Sequence, residues 1–147
     1  MGSLGRDENK VPTFVVDRSA TDSGLVASGS IVFAAGDDLT TEKKTAAISP
    51  TGTYQHPDAL YCLIIDKPTE NTAGNLTITT YNQVTVDGTN ERDVTHTTHT
   101  VEVITGAGTY RGFLVQGLFI GNATIKLGAK FATDSGAITV YYKLYRL

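Results

Sequence analysis

The residues able to do chemistry are few. His96 and His99 stand three apart in the segment Val94 to Ile104, which reads as a β-strand. Side chains alternate along a strand, so this spacing sends the two imidazoles to opposite faces and makes them poor joint ligands. His56 is solitary beside Pro57, without the three or four convergent ligands a zinc site needs. The loop Asp87-Gly88-Thr89-Asn90-Glu91-Arg92-Asp93 is rich in oxygen but lacks the spacing of a calcium loop and carries Arg92 within it, so it reads as an exposed hairpin tip. Gly106-Ala107-Gly108-Thr109 lacks the third glycine, the following helix and the Lys-Ser/Thr pair of a phosphate loop. No Gly-x-Ser-x-Gly elbow anchors a hydrolase triad. No carboxylate is central in an apolar strand, where its pKa would rise toward general-acid use. The sequons at Asn75 and Asn122 read as chance matches. No catalytic residue, metal or cofactor is expected. The remaining signal is one of contact: Tyr141 and Tyr145 flank Lys143 on the outward side of the last strand, and tyrosine is enriched at interfaces.

The elements that carry these residues are strands. Of the 147 residues, 23 are threonine and none is tryptophan, and helix formers are sparse. Charged residues make up 18% and the net charge is -3, which argues against direct nucleic-acid binding. No apolar stretch of about 18 residues is present for a membrane span, and Met1 to Lys10 has no apolar core for a secretory signal. The single Cys62, inside Leu60-Tyr61-Cys62-Leu63-Ile64-Ile65, reads as a buried small apolar residue.

Along the chain, 1–12 is a flexible polar arm and 13–147 a single all-β domain. Pro12 to Asp17 reads as a short strand, Ser30 to Ala35 as a buried strand, and Asp37 to Thr53 as a loop. Leu60 to Asp66 is apolar at nearly every position, so both its faces should be covered. Leu76 to Val86 and Val94 to Ile104 form a hairpin whose second, polar strand belongs at an edge or in a protruding ribbon. Tyr110 to Gly121 is either a central strand covered on both sides or one with a face at a subunit interface. Asn122 to Leu147 reads as a terminal hairpin that buries Ile125, Leu127, Ala129, Phe131, Ile138, Val140, Tyr142 and Leu144. Its register sets Phe131 opposite Ile138, Leu127 opposite Tyr142, Ile125 opposite Leu144, and Lys126 against Lys143. Seven or eight strands without a convincing helix predict an antiparallel β-sandwich or compact β-barrel with an extended N-terminal arm.

The chain ends inside its own sheet, at Ala137-Ile138-Thr139-Val140-Tyr141-Tyr142-Lys143-Leu144-Tyr145-Arg146-Leu147. With the polar arm, the Thr/Gly-rich strands and the missing catalytic motifs, it resembles the small all-β capsid decoration (cement) proteins of tailed bacteriophages. The resemblance implies a non-enzymatic structural protein on the capsid exterior of the virion, assembled in the host cytoplasm. It also implies a homotrimer that bridges neighbouring major capsid subunits, without direct nucleic-acid or membrane contact. Residues suited to partner contact are Val11, Pro12 and Phe14 on the arm, Phe113, Leu118 and Phe119 in the apolar segment, and Tyr141 and Tyr145. The arm could add a strand to a neighbour. The alternative is a carbohydrate- or receptor-binding β-sandwich module of tail or adhesin type, which predicts an aromatic platform or a calcium site.

Overall fold

A computed structural model describes residues 24–49, 59–67, 74–102 and 109–147. The strands are β1 (Leu25–Phe33), β2 (Lys43–Lys44), β3 (Leu60–Lys67), β4 (Leu76–Thr85), β5 (Glu91–Val101), β6 (Thr109–Gln116), β7 (Ile125–Phe131) and β8 (Ile138–Arg146). They form two four-stranded sheets, ordered β1-β8-β3-β6 and β2-β7-β4-β5. Every pairing is antiparallel, and the pairs nest: β1 with β8, β2 with β7, β3 with β6, β4 with β5. A ribbon of paired strands wrapped once over itself gives this order, which is that of a jelly roll. The all-β sandwich of the sequence reading is therefore present. The barrel alternative is not, since the sheets face each other without closing.

The core lies between the sheets. Ile31, Phe33, Tyr61, Leu63, Ile65, Val115, Ile138, Val140 and Leu144 fill it from one side, and Leu76, Ile78, Val101, Ile125, Leu127, Ala129 and Phe131 from the other. Phe33 meets Phe131 edge-on across the sandwich, with ring centroids 5.5 Å apart, and Tyr61 packs on Phe119 at the same separation. Leu39 is drawn into this core as well; its backbone N–H donates to Asp134 Oδ1 at 3.1 Å, which ties the first long loop to the β7–β8 connection.

The inward residues expected of β7 and β8 are the ones found, but the two strands do not form a hairpin. Strand β7 lies between β2 and β4, whereas β8 lies between β1 and β3. Residues Ala132 to Ala137 therefore cross from one sheet to the other. Period-two alternation specifies which face is buried, not which strand is the neighbour, and the same apolar faces meet across the sandwich instead of along a ladder. The expected clash of Lys126 with Lys143 disappears with the hairpin: Lys126 lies 3.8 Å from Asp93. Two further readings are corrected. The segment around Ser30 to Ala35 is an edge strand among the described ones, with Ile31 and Phe33 inward and Val32 exposed. The segment from Tyr110 is also an edge strand among the described ones, so it is not a central strand covered on both sides. The β4–β5 hairpin forms as expected, with β5 at the edge of its sheet.

Candidate functional site

Inward residues of β3 reach the core, but its outward residues are open. Leu60 is exposed and Cys62 and Ile64 are half-buried, which corrects both the expectation that β3 is covered on two faces and the reading of Cys62 as a core residue. Around them the outer face of β1-β8-β3-β6 is built in rows across the strands. One row runs Ser30, Tyr141, Asp66, Tyr110 and the next Ser28, Lys143, Ile64, Gly112; a third joins Tyr145, Cys62 and Leu114. Nine large apolar side chains are exposed among the described residues, and five of them (Val32, Leu60, Tyr110, Leu114 and Tyr141) lie on this one face. Tyr110 at 73% exposure, Leu114 at 66% and Tyr141 at 50% stand furthest into solvent. Low relief at Ser28, Gly29, Ser30 and Ile64 beside the two tyrosines opens a groove of about 540 Å³, lined also by Asp66, Tyr110 and Tyr141.

The partner-contact residues expected from sequence separate on this structure. Tyr141 is exposed and Tyr145 half-buried on the outer face. Leu118 and Phe119 are buried in the core and Phe113 packs against it, so these three rings and chains are turned inward. Val11, Pro12 and Phe14 lie outside the described residues, as do His56 and the Gly106 to Gly108 turn. Sequence reasoning missed Tyr110, Leu114 and Asp66, because only the pairing of β3 with β6 and β8 brings them beside Tyr141.

At the seam between the β5 and β6 edges a second polar group is assembled. The register of β4 against β5 slips between Thr80 and Tyr81, where Thr80 opposes Thr97 and Tyr81 opposes Thr95. His96 is the extra residue. The bulge turns it to the same side as His99, contrary to the expectation from simple alternation. His96 Nδ1 lies 3.2 Å from Thr80 Oγ1, Thr80 Oγ1 lies 2.8 Å from Thr97 Oγ1, and Thr97 Oγ1 lies 3.0 Å from His99 Nε2. His99 stacks on Phe113 of β6 with centroids 4.4 Å apart. Two imidazoles joined through hydroxyls do not make a metal site, and no group of three or more His, Cys, Asp or Glu converges among the described residues.

Burial holds the His99 pKa below its usual value, and the neighbouring His96 pushes the same way. The unfolded chain thus takes up a proton more readily at this residue than the folded one. Stability is unaffected above the ordinary histidine pKa of about 6.5 and declines as pH falls through that value toward the lower folded one. Urea midpoints measured between pH 8 and pH 5 should drop over this window, and His99→Gln should flatten the drop. An identical pH profile for the variant would refute the assignment.

Elsewhere polar groups are occupied in holding loops. Asp87 accepts from the backbone N–H groups of Thr89 and Asn90 and from the Asn90 amide, which brings its pKa down to about 2. That is a turn anchor, as the hairpin-tip reading expects. Across the outer face of the second sheet, Tyr81 donates to Glu42 at 2.7 Å while Lys44 sits 4.1 Å over its ring and pairs with Asp93 at 2.9 Å. Burial, followed by the Glu42 contact, pushes the Tyr81 hydroxyl up to about 12, so it remains a donor. This network fixes the two-residue strand β2 against its sheet. It was invisible in the sequence because its members come from three separate segments.

No protein-family model and no curated protein matches the chain. Among solved structures the chain is similar to a Bacillus endospore appendage, described as one of a family of disulfide-linked pili. That chain is 16% identical, the match covers 87% of this chain and 95% of the other, and the TM-score is 0.37.

Proposed function

We propose that the protein is a non-enzymatic structural subunit that works by assembly through the outer face of β1-β8-β3-β6. The observation that carries this reading is β3, apolar on both faces, with its inward side in the core, Leu60 exposed, and Cys62 and Ile64 only half-buried. A strand of that composition is normally buried on both sides, and a contiguous apolar patch on a folded chain marks a protein contact. In the finer form of this reading the subunit is a homotrimer that decorates a tailed-phage capsid. There it bridges neighbouring major capsid subunits, with the N-terminal arm as an added strand. Support for that form is the resemblance in sequence style, joined to a face suited to burial at a subunit junction.

The test is mass in solution and on capsids. Light scattering across concentrations should give an oligomer near three times 15.6 kDa. Leu114→Lys should yield monomer without loss of fold, because Leu114 is exposed. The wild-type protein should raise the melting temperature of expanded capsids. A monomer at every concentration, combined with no effect on capsids, would sink the reading.

A further inference from the structure

The outer face is not uniformly apolar. Asp66 sits in its groove with Tyr141 as cross-strand partner on one side and Tyr110 on the other. Both rings are exposed, and both line the groove with Asp66. Among the described residues Asp66 has no hydrogen-bond or ion-pair partner, whereas Lys143 in the same groove is already engaged. Elsewhere in the described chain Asp37, Asp38, Asp87, Asp93 and Asp134 each accept a hydrogen bond from within the protein. Asp66 is thus a carboxylate set between two tyrosines of the neighbouring strands, with its acceptor capacity unused among the described residues.

That combination selects a cation. Tyrosine faces attract a positive charge, and a carboxylate between them supplies the counter-charge and the acceptors. A planar guanidinium suits the site better than an ammonium, since it can stack on a ring and reach both carboxylate oxygens together. A sugar would also use aromatic faces and a carboxylate, but it would not neutralise the unpaired charge. The volume of about 540 Å³ admits an arginine side chain with part of its flanking backbone.

We propose that the groove Tyr110–Asp66–Tyr141 receives an arginine side chain from the surface of the partner protein. The proposal rests on the assembly reading above and names the chemistry of the partner at that face. Arginine supplies the specific, register-fixing contact, while Leu60 and Leu114 further along the face and Val32 on its β1 edge supply apolar area.

The test is titration of the full chain with the peptide acetyl-Gly-Arg-Gly-amide, read by the NMR signals of the tyrosine rings, beside acetyl-Gly-Gln-Gly-amide and methyl glycosides. The arginine peptide should shift the Tyr110 and Tyr141 signals, and added salt should weaken the effect. Asp66→Asn, a near-isosteric change at an exposed position, should weaken binding roughly tenfold or more. An equal response to the glutamine peptide, a stronger response to a methyl glycoside, no response to any probe, or an unchanged response in Asp66→Asn would each overturn the proposal. Light scattering on the same samples separates the two readings. An oligomer that forms while the arginine peptide is ignored defeats the groove alone. A chain that stays monomeric and leaves capsids unaffected, yet binds the peptide through Asp66, defeats the assembly reading and leaves a free arginine-recognition site.

Discussion

Phe33→Ala is expected to destabilise the fold by about 3 to 5 kcal/mol. Phe33 is fully buried at the end of β1 and meets Phe131 of the opposing sheet edge-on. Lys43 also lies over its ring, 5.6 Å from the centroid. Truncation removes the transfer free energy of the ring and leaves a cavity that two sheets hold open. The register of β1 against β8 holds its backbone in place and so resists its sliding to fill the space. A loss of this size is a large share of the roughly 5 to 15 kcal/mol that holds a domain together. At roughly 2 to 4 °C per kcal/mol for a chain of this length, the melting temperature should fall by about 6 to 20 °C. Denaturant unfolding at constant m-value is the check, and a change below about 1 kcal/mol would show that the sheet edge can close over the gap.

Tyr61→Ala should cost a similar 3 to 5 kcal/mol, by the order of magnitude seen for large buried rings, and should have a second, local effect. Tyr61 is buried on β3 against Phe119. Phe119 holds φ 58, a left-handed conformation that is unfavourable for a side chain by roughly 1 to 2 kcal/mol. The turn Ile120–Asn122 that follows it carries Gly121 at φ 59 and Asn122 at φ 62. Burial of the Phe119 ring is what offsets this backbone cost. Without Tyr61 the ring loses its support, and the short turn between β6 and β7 should open. Amide exchange at Asn122 and Ala123, whose N–H groups donate to Phe119 and Ile120 carbonyls at 3.0 Å, should accelerate well beyond the global loss of stability. Exchange there that merely tracks global unfolding would count against this account of the turn.

What the sequence made legible was faces. The alternation in β7 and β8 assigned their buried residues correctly, whereas the unbroken apolar run of β3 pointed to cover on two faces and only the inward one is in the core. Neighbours were less legible. A strand with one buried face can satisfy it along a ladder or across a sandwich, and the local turn 133–136 serves either route. The bulge at His96 escaped for a different reason: it sits in a threonine-rich stretch with no Gly or Pro to mark it, so period two was extended through a point where the ladder slips. Of the candidate site, Tyr141 could be read from its own strand, while Asp66 and Tyr110 became its neighbours only through the order β8-β3-β6.

The nested strand order also bears on when the exposed apolar face is completed. The β4–β5 hairpin joins segments close in sequence and can form early, whereas β1 must wait for β8, at the far end of the chain. Long-range pairing of this kind is slow because loop-closure entropy must be overcome first. The sheet completed last is the one that bears the exposed apolar face. During synthesis that face therefore has no finished scaffold until β8 has been made, so its exposure is delayed by topology alone.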